Sequence, residues 1–207
     1  MLITEERPAI DFLKTQLNQN DFDLLERYSQ IILKQAKLFN LISKNTIDQI
    51  WQRHILDSYQ LINHIKKEDI VTDIGSGAGF PGIVLTILGV KNLTMIDSLN
   101  KKVKFINETL NQLSFPSKAT HTRIEDLNLT TDILTARALK PLKEIFTLIH
   151  HNIIVNKKIL LLKGSKTYEE ISDAQKDWEF EYKLHKSITS ENSFIIEIHP
   201  QIFLKNH

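Results

Sequence analysis

The chain has no cysteine. Its absence removes disulfides, thiolate-held metals and a cysteine nucleophile together, and the remaining residues give no reason to expect a metal site. An excess of one charge is missing too, since 26 Lys and Arg stand against 25 Asp and Glu for a formal net charge of +1. Composition alone therefore does not announce a nucleic-acid binder. Long hydrophobic runs are also lacking. The longest uncharged stretch, Ile74 to Val90, contains five of the six glycines and a proline, too short and too broken to span a membrane. Glu5, Glu6 and Arg7 precede any apolar core, which is not the pattern of a signal peptide. A cytoplasmic protein with no membrane partner is expected. The 207 residues make one ordinary domain with a small extension, able to bury about 70% of its unfolded surface.

The scarce glycines are concentrated. Four of them lie in Asp73-Ile74-Gly75-Ser76-Gly77-Ala78-Gly79-Phe80-Pro81-Gly82, between the apolar stretches Ile70-Val71-Thr72 and Ile83 to Leu88. A strand, a glycine turn and a helix start form a nucleotide-type site, because glycine lets a ligand approach the main chain closely. Asp97 follows Asp73 by 24 residues, at the end of the next apolar run, where an acid reaches ribose hydroxyls. Two frames fit. Gly77 to Gly82 satisfies the dinucleotide spacing G-x-G-x-x-G, which would suit a nicotinamide-dependent oxidoreductase. The frame Asp73-x-Gly75-x-Gly77-x-Gly79 is that of S-adenosylmethionine (AdoMet) methyltransferases, whose donor has no pyrophosphate, and it is preferred. There, an acid in the position of Asp73 serves the cationic end of the donor, directly or through water. A plain capped turn without ligand would not need four glycines.

Residues 8 to 66 read as a helical extension. Leu24, Leu25, Tyr28, Ile31, Ile32, Leu38 and Phe39 recur at helical steps, and a second stripe runs from Ile47 through Trp51, His54 and Ile55 to Ile65, with Asn45 and Thr46 as its caps. The expected division is 1-66 for the extension and 67-207 for the main domain. From Ile70, strand candidates at 70-75, 92-97, 117-122, 131-136 and 158-163 alternate with helices at 81-89, 100-114, 141-151 and 167-176. This is the signature of an α/β fold with a mostly parallel sheet. Residues 178-187 and 193-200 read as a closing antiparallel hairpin, which favours a Rossmann-like AdoMet-dependent methyltransferase fold over a dehydrogenase. Ligands in open α/β sheets bind beyond the C-terminal strand ends. The glycine turn, Asp97, Arg123-Ile124-Glu125, Arg137 and Lys163-Gly164 all fall at such ends.

The sequence resembles the bacterial 16S rRNA guanine-N7 methyltransferases, also called glucose-inhibited division protein B. The resemblance rests on Phe39-Asn40-Leu41, Arg53-His54-Ile55-Leu56-Asp57-Ser58, the glycine segment from Asp73 to Ile83, Asp97-Ser98-Leu99 with Lys101, Lys102 and Lys104, Arg123 to Asp126, Ala136-Arg137-Ala138 and Leu162-Lys163-Gly164. These segments stand in the family order. The glycine motif alone is widely shared; the Arg53 to Ser58 segment, Pro81-Gly82 and Asp97-Ser98-Leu99 with its lysines are more specific. The chain departs from the pattern at Ile42, where many members have threonine, and at Asn192-Ser193, where many carry a basic residue.

The resemblance implies AdoMet as donor, a guanine in the decoding-region hairpin of 16S rRNA as acceptor, and the small ribosomal subunit as partner of a monomeric enzyme. It also implies a cofactor set of Asp73, Gly75, Gly77, Gly79, Phe80, Asp97, Ile124, Glu125 and Arg137. Arg137, Lys140 and Lys163 are the candidates for phosphate or guanine-edge contacts, Arg137 and Lys163 being placed in the catalytic role. Each candidate also has a structural reading. Arg137 could pair with Glu125 or Asp132, Lys163 could be a solvated strand end, Asp97 a helix cap and Glu125 a surface acid. His54, Tyr28 and Trp51 could be core, and Arg53 could pair with Asp57 across a helix turn. A non-catalytic small-subunit RNA-binding or assembly factor on the same fold is the alternative function.

Overall fold

The computed structural model describes residues 1–36, 41–116 and 119–205. Leu38 and Phe39 of the first stripe, and Phe39-Asn40 of the family segment, lie outside the described residues, as does the start of the strand expected at 117-122.

Seven strands form one sheet in the order β3-β2-β1-β4-β5-β7-β6. They are β1 (Ile70–Ile74), β2 (Asn92–Asp97), β3 (Ala119–His121), β4 (Leu129–Arg137), β5 (Ile153–Lys163), β6 (Trp178–Lys186) and β7 (Phe194–Leu204). The first five pair in parallel, while β7 runs antiparallel to both β5 and β6. The closing hairpin thus inserts its second strand beside β5. The helices are α1 (Glu6–Gln16), α2 (Gln19–Ala36), α3 (Asp57–Tyr59), α4 (Gly82–Ile87), α5 (Asn100–Gln112), α6 (Leu142–Ile149) and α7 (Thr167–Asp177). Strands β5 and β7 run longer than expected, because polar residues such as Asn156, Lys157 and Lys158 interrupt the apolar pattern of β5 while its backbone pairing continues along β4 from Ile153.

Alternation along each strand divides the interior into two cores. On one sheet face Leu13, Leu25, Tyr28 and Ile55 of the extension pack with Ile83 and Leu85 of α4, Ile106 of α5, and Met95, Leu160 and Ile195 of the sheet. On the other face Phe146 of α6 and Ile171 of α7 pack against Ile74, Leu134, Leu161 and Ile196. Residues 1–36 and 41–66 therefore supply the lid of one core.

The second stripe is not one regular helix. It passes through a 3₁₀ segment (Lys44–Gln49), a π-helical turn (Trp51–Leu56), α3 and a second 3₁₀ segment (Gln60–His64). Asn45 and Thr46 do not cap it. Its amides are capped from α1, where the carboxylate of Glu6 accepts the N–H groups of Trp51 and Gln52 at 3.0 and 2.9 Å. A carboxylate is suited to this end, where free amides and the helix dipole favour negative charge.

Tyr28 links the extension to the glycine turn. Its hydroxyl, fully buried, donates to the carbonyl of Ala78 at 2.9 Å, and its ring packs on Phe80. Gly79, at φ +99°, leaves room for that contact, since a Cβ there would lie 2.5 Å from Ile83 Cδ1 and 3.0 Å from the Tyr28 oxygen. Tyr28→Phe keeps the ring and leaves the Ala78 carbonyl unpaired. It should lower the unfolding free energy by about 1–3 kcal/mol, measured by urea denaturation with an unchanged m-value.

Candidate active site

The parallel strands end on one side of the sheet, and two clefts open there. The first, of about 280 Å³, is bordered by Gly75 after β1, Asp97, Ser98 and Leu99 after β2, Thr122 to Glu125 after β3, and Ala138 to Lys140 after β4. The second, of about 400 Å³, is bordered by Arg53 and Asp57 of the extension, Arg137 to Pro141, Leu162 to Gly164, Glu170, Thr189 and Ser193. Ala138, Leu139 and Lys140 border both and form the wall between them. Leu139 leans over the glycine turn, where a Cβ on Gly75 (φ +69°) would fall 2.4 Å from its Cδ1.

Hydrogen bonding within the turn decides what the first cleft can hold. The amides of Gly75 and Ser76 donate to the Ile96 carbonyl, that of Gly77 to Asp97 Oδ2, those of Gly79 and Phe80 to Ser76, and that of Gly82 to Asp73 Oδ2. None of these donors is left for a pyrophosphate, which a dinucleotide would require. The cleft instead presents Asp97, the buried face of Ile124 and the exposed Glu125. Asp97 is 5% exposed and accepts from Gly77 and from Leu99 N, each at 2.9 Å, with Lys102 Nζ at 3.8 Å. One lone pair on each oxygen remains for ribose hydroxyls. A nucleoside-bearing donor without phosphates fits this set, and the size is near the ~300 Å³ lower end of small-molecule pockets.

Asp73 lies beneath the turn rather than on the cleft surface. It is fully buried, accepting from Gly82 N and from Thr135 Oγ1. Burial pushes its pKa up to about 7 against the lowering effect of those hydrogen bonds. Phe80 is also buried, between Tyr28, His54 and the guanidinium of Arg137, which stands 5.1 Å above its ring. Gly77 and Gly79 shape the turn beneath the cleft.

Arg137 pairs with neither Glu125 nor Asp132. Asp132 holds Lys157 and caps Ile70 N. The guanidinium of Arg137 instead reaches the π-helical turn, donating to the Arg53 carbonyl at 2.8 Å and to His54 Nδ1 at 2.5 Å, with Asp57 Oδ2 at 3.5 Å. Arg53 therefore does not pair with Asp57, whose other oxygen accepts from Thr189 and Gln60. Lys163 is no solvated strand end. Its side chain is 8% exposed, paired with Glu170 at 2.7 Å and bonded to the Lys140 carbonyl. Lys140 pairs with Glu144.

His54 is neither loose core nor a free base. Nδ1 accepts from Arg137, so Nε2 carries the proton toward Thr46 Oγ1 at 2.9 Å. Burial, then the charges of Arg137 and Arg53, lowers its pKa to about 3.

Arg53 was not among the candidates for phosphate or guanine-edge contacts. It is exposed on the second cleft, and among the described residues it forms no ion pair. Its signal was its place in the specific Arg53 to Ser58 segment. Thr189 and Leu139 carried no signal, for they reach the clefts through loop geometry alone, while Ser193 was marked only as a place where many family members carry a basic residue.

The family model described as rRNA small subunit methyltransferase G matches residues 21–196. The chain belongs to this family. The family's curated members include the ribosomal RNA small subunit methyltransferase G of Rickettsia felis, 43% identical over 175 residues, covering 84% of this chain and 91% of that protein. That of Orientia tsutsugamushi is 39% identical over 193 residues, covering 91% and 96%. The fold is also that of protein PH0226 from Pyrococcus horikoshii, with a TM-score of 0.59 at 12% identity over 81% of this chain and 99% of that one. The family segment from Arg53 to Ser58 sits beside the glycine turn, and Arg137 joins the two.

The folded state holds His54 near 3 while the unfolded chain holds it near 6.5. The unfolded state then binds more protons between these values, and the stability tied to neutral His54 is lost as pH falls from about 6.5 toward 3. At pH 5 the loss relative to neutral pH is about 2 kcal/mol. His54→Gln should therefore lose about 2 kcal/mol less than the parent between pH 7.5 and pH 5 in urea unfolding. Asp73, with its raised pKa, contributes in the opposite sense, its share falling as pH rises through about 7, but equally in both proteins.

Proposed function

We propose that this chain transfers the methyl group of AdoMet to N7 of a guanine in the decoding-region hairpin loop of 16S rRNA, acting on the small ribosomal subunit or its RNA. The observation that carries the reading is the pair of clefts across the Ala138 to Lys140 wall in a chain of this family, one shaped for a phosphate-free nucleoside and the other lined by cations. The first cleft is the donor site. Asp97 would hold the ribose, Ile124 and Glu125 would flank the adenine, and Gly75 would border the methionine end. The second is the acceptor site.

AdoMet supplies an electrophilic methyl on a sulfonium sulfur, and guanine N7 offers a lone pair at neutral pH, so no general base is required. The chain's contribution is placement, which supplies up to roughly 7–11 kcal/mol of a barrier when two reactants are held in line. The side chains available for placement are Arg137 and Lys163, both fixed by internal partners, and Arg53, which is not. Fixed cations give a shaped floor, and Arg53 is the one suited to close on a phosphate. The carboxylates of Asp57 and Glu170 border the same cleft and offset the positive charge that methylation leaves on the base. An A-form major groove is too narrow for side chains, so the guanine is taken from a loop or extruded.

The decisive assay is transfer of labelled methyl from AdoMet to small-subunit particles and to rRNA lacking the modification, with the product base identified. Label in 7-methylguanine at one hairpin position is expected; AdoMet binding without transfer to either substrate would favour the non-catalytic RNA-binding alternative. Asp97→Ala should weaken AdoMet binding about 10- to 100-fold, the loss of about 1.5–3 kcal/mol of charge-assisted hydrogen bonding. Arg53→Ala should leave that affinity unchanged and flatten the salt dependence of RNA binding by about 0.7 in slope, one single-strand phosphate contact.

A further inference from the structure

Away from both clefts, three ligand-bearing side chains meet where the extension joins the last hairpin. His64 closes the 3₁₀ segment Gln60–His64, His185 lies on β6 and Glu197 on β7. The β6–β7 register sets His185 opposite Ile195 and Lys183 opposite Glu197. His185 and Glu197 are thus diagonal neighbours on one sheet face, the face on which Ile195 joins the core beneath the extension. His64 descends onto that face from the extension.

The three groups converge on one point. His64 Nδ1 lies 3.3 Å and His185 Nε2 lies 3.1 Å from the same atom, Glu197 Oε2. The two rings are 4.5 Å apart between centroids, and the three ligand atoms lie within 4.8 Å of one another. A tetrahedral ion with bonds of ~2.0–2.1 Å spaces its ligands by about 3.3–3.4 Å. Two of the three edges already have about that length, and the third needs only a small ring movement. Independent hydrogen bonds could have used one carboxylate oxygen each. Here both imidazoles address Oε2, while Oε1 faces Lys158 Nζ at 3.8 Å. That lysine leaves Oε2 as the ligand oxygen, an outer partner of the kind that orients metal carboxylates.

We propose that His64, His185 and Glu197 form a binding site for a divalent ion of the zinc class, with water as fourth ligand. Two imidazoles and one carboxylate suit zinc over magnesium or calcium, which prefer all-oxygen shells. The side chains are 17%, 36% and 22% exposed, so solvent reaches the open position. Each imidazole offers a lone pair at the ligating nitrogen and carries its proton on the other, a tautomer change within a neutral ring. No metal site was expected from sequence, because its three ligands come from distant segments. The ion would tie the extension to the hairpin beside the Gln60–Ser187 hydrogen bond of 3.0 Å, and so brace the loop that carries Thr189 and Ser193 into the acceptor cleft.

The test is calorimetric titration of the chelator-stripped, full-length protein with Zn²⁺, paired with the visible spectrum of the Co²⁺ form. One ion per chain, a low-coordinate Co²⁺ spectrum and a melting temperature raised by about 5–10 °C at a hundredfold excess over Kd are expected. His64→Ala and His185→Gln should each weaken binding at least about 10-fold, and His151→Ala should not. Because His185 is the most exposed of the three, His185→Gln decides the matter if His64→Ala fails to fold. Absence of saturable binding, or binding that survives His185→Gln unchanged, overturns the proposal.

Discussion

The guanidinium of Arg137 is the contact on which the geometry of the site depends. It is 16% exposed at the side chain, and a charge so placed is costly unless its donors are satisfied. The chain meets that demand from three directions. The Arg53 carbonyl and the His54 ring nitrogen accept its protons, Asp57 balances its charge, and Phe80 lies beneath its plane. A planar cation with several fixed donors can make all these contacts together, which a lysine ammonium cannot. Arg137 ends β4, Phe80 belongs to the glycine turn, and the others lie on the extension. One side chain thus sets the positions of three parts that are far apart in sequence. The neutral state of His54 follows from the same contact, because an imidazolium could not accept from a guanidinium.

The two clefts inherit their relation from this lock. Directly after Arg137 the backbone of Ala138 takes φ 49°, a conformation uncommon outside glycine. The turn it makes throws Leu139 over Gly75 and starts the wall between the clefts. The side chain at that junction is apolar and places no nucleophile between the two clefts. The hairpin contributes through Asp57, which is bonded to Thr189 Oγ1 at 2.9 Å. Extension, sheet and hairpin therefore close the second cleft as one connected set of polar contacts.

The parallel sheet, the closing hairpin and the glycine turn were legible because each leaves a local trace. Apolar runs mark the buried strands, and glycines with positive φ mark the turn. Asp97 was legible because its distance from the turn is set by one strand–helix–strand unit. The partners of Arg137 were not. Glu125 and Asp132 are nearer in sequence, but Glu125 borders the first cleft and Asp132 lies toward the opposite end of β4, where it holds Lys157 and caps Ile70 N, and the actual partners come from residues 53 to 57, at least 80 positions away. Lys163 was read as a phosphate or guanine-edge contact, with a solvated strand end as its alternative, and its ion pair was not legible because Glu170 of α7 folds back over it. The cap of the π-helical turn was hidden for a like reason, since Glu6 supplies it from α1 across 45 residues. Local pattern reveals elements, and contacts between distant elements leave no such pattern.

The missing basic residue near Asn192-Ser193 was the sequence's argument for a chain that binds RNA without modifying it. The surroundings of Ser193 weaken that argument. Its cleft holds Arg53, Arg137, Lys140 and Lys163 against Asp57 and Glu170, an excess of cations in a chain whose formal net charge is +1. Such a local excess attracts a polyanion whether or not one more cation stands at the rim. A chain that had kept only a binding role would have no need to preserve a second, phosphate-free cleft on the far side of a shared wall. Yet Asp97 remains buried and bonded to the turn that forms this cleft, and Leu139 remains between the two. That arrangement supports transfer from one cleft to the other over simple retention of RNA.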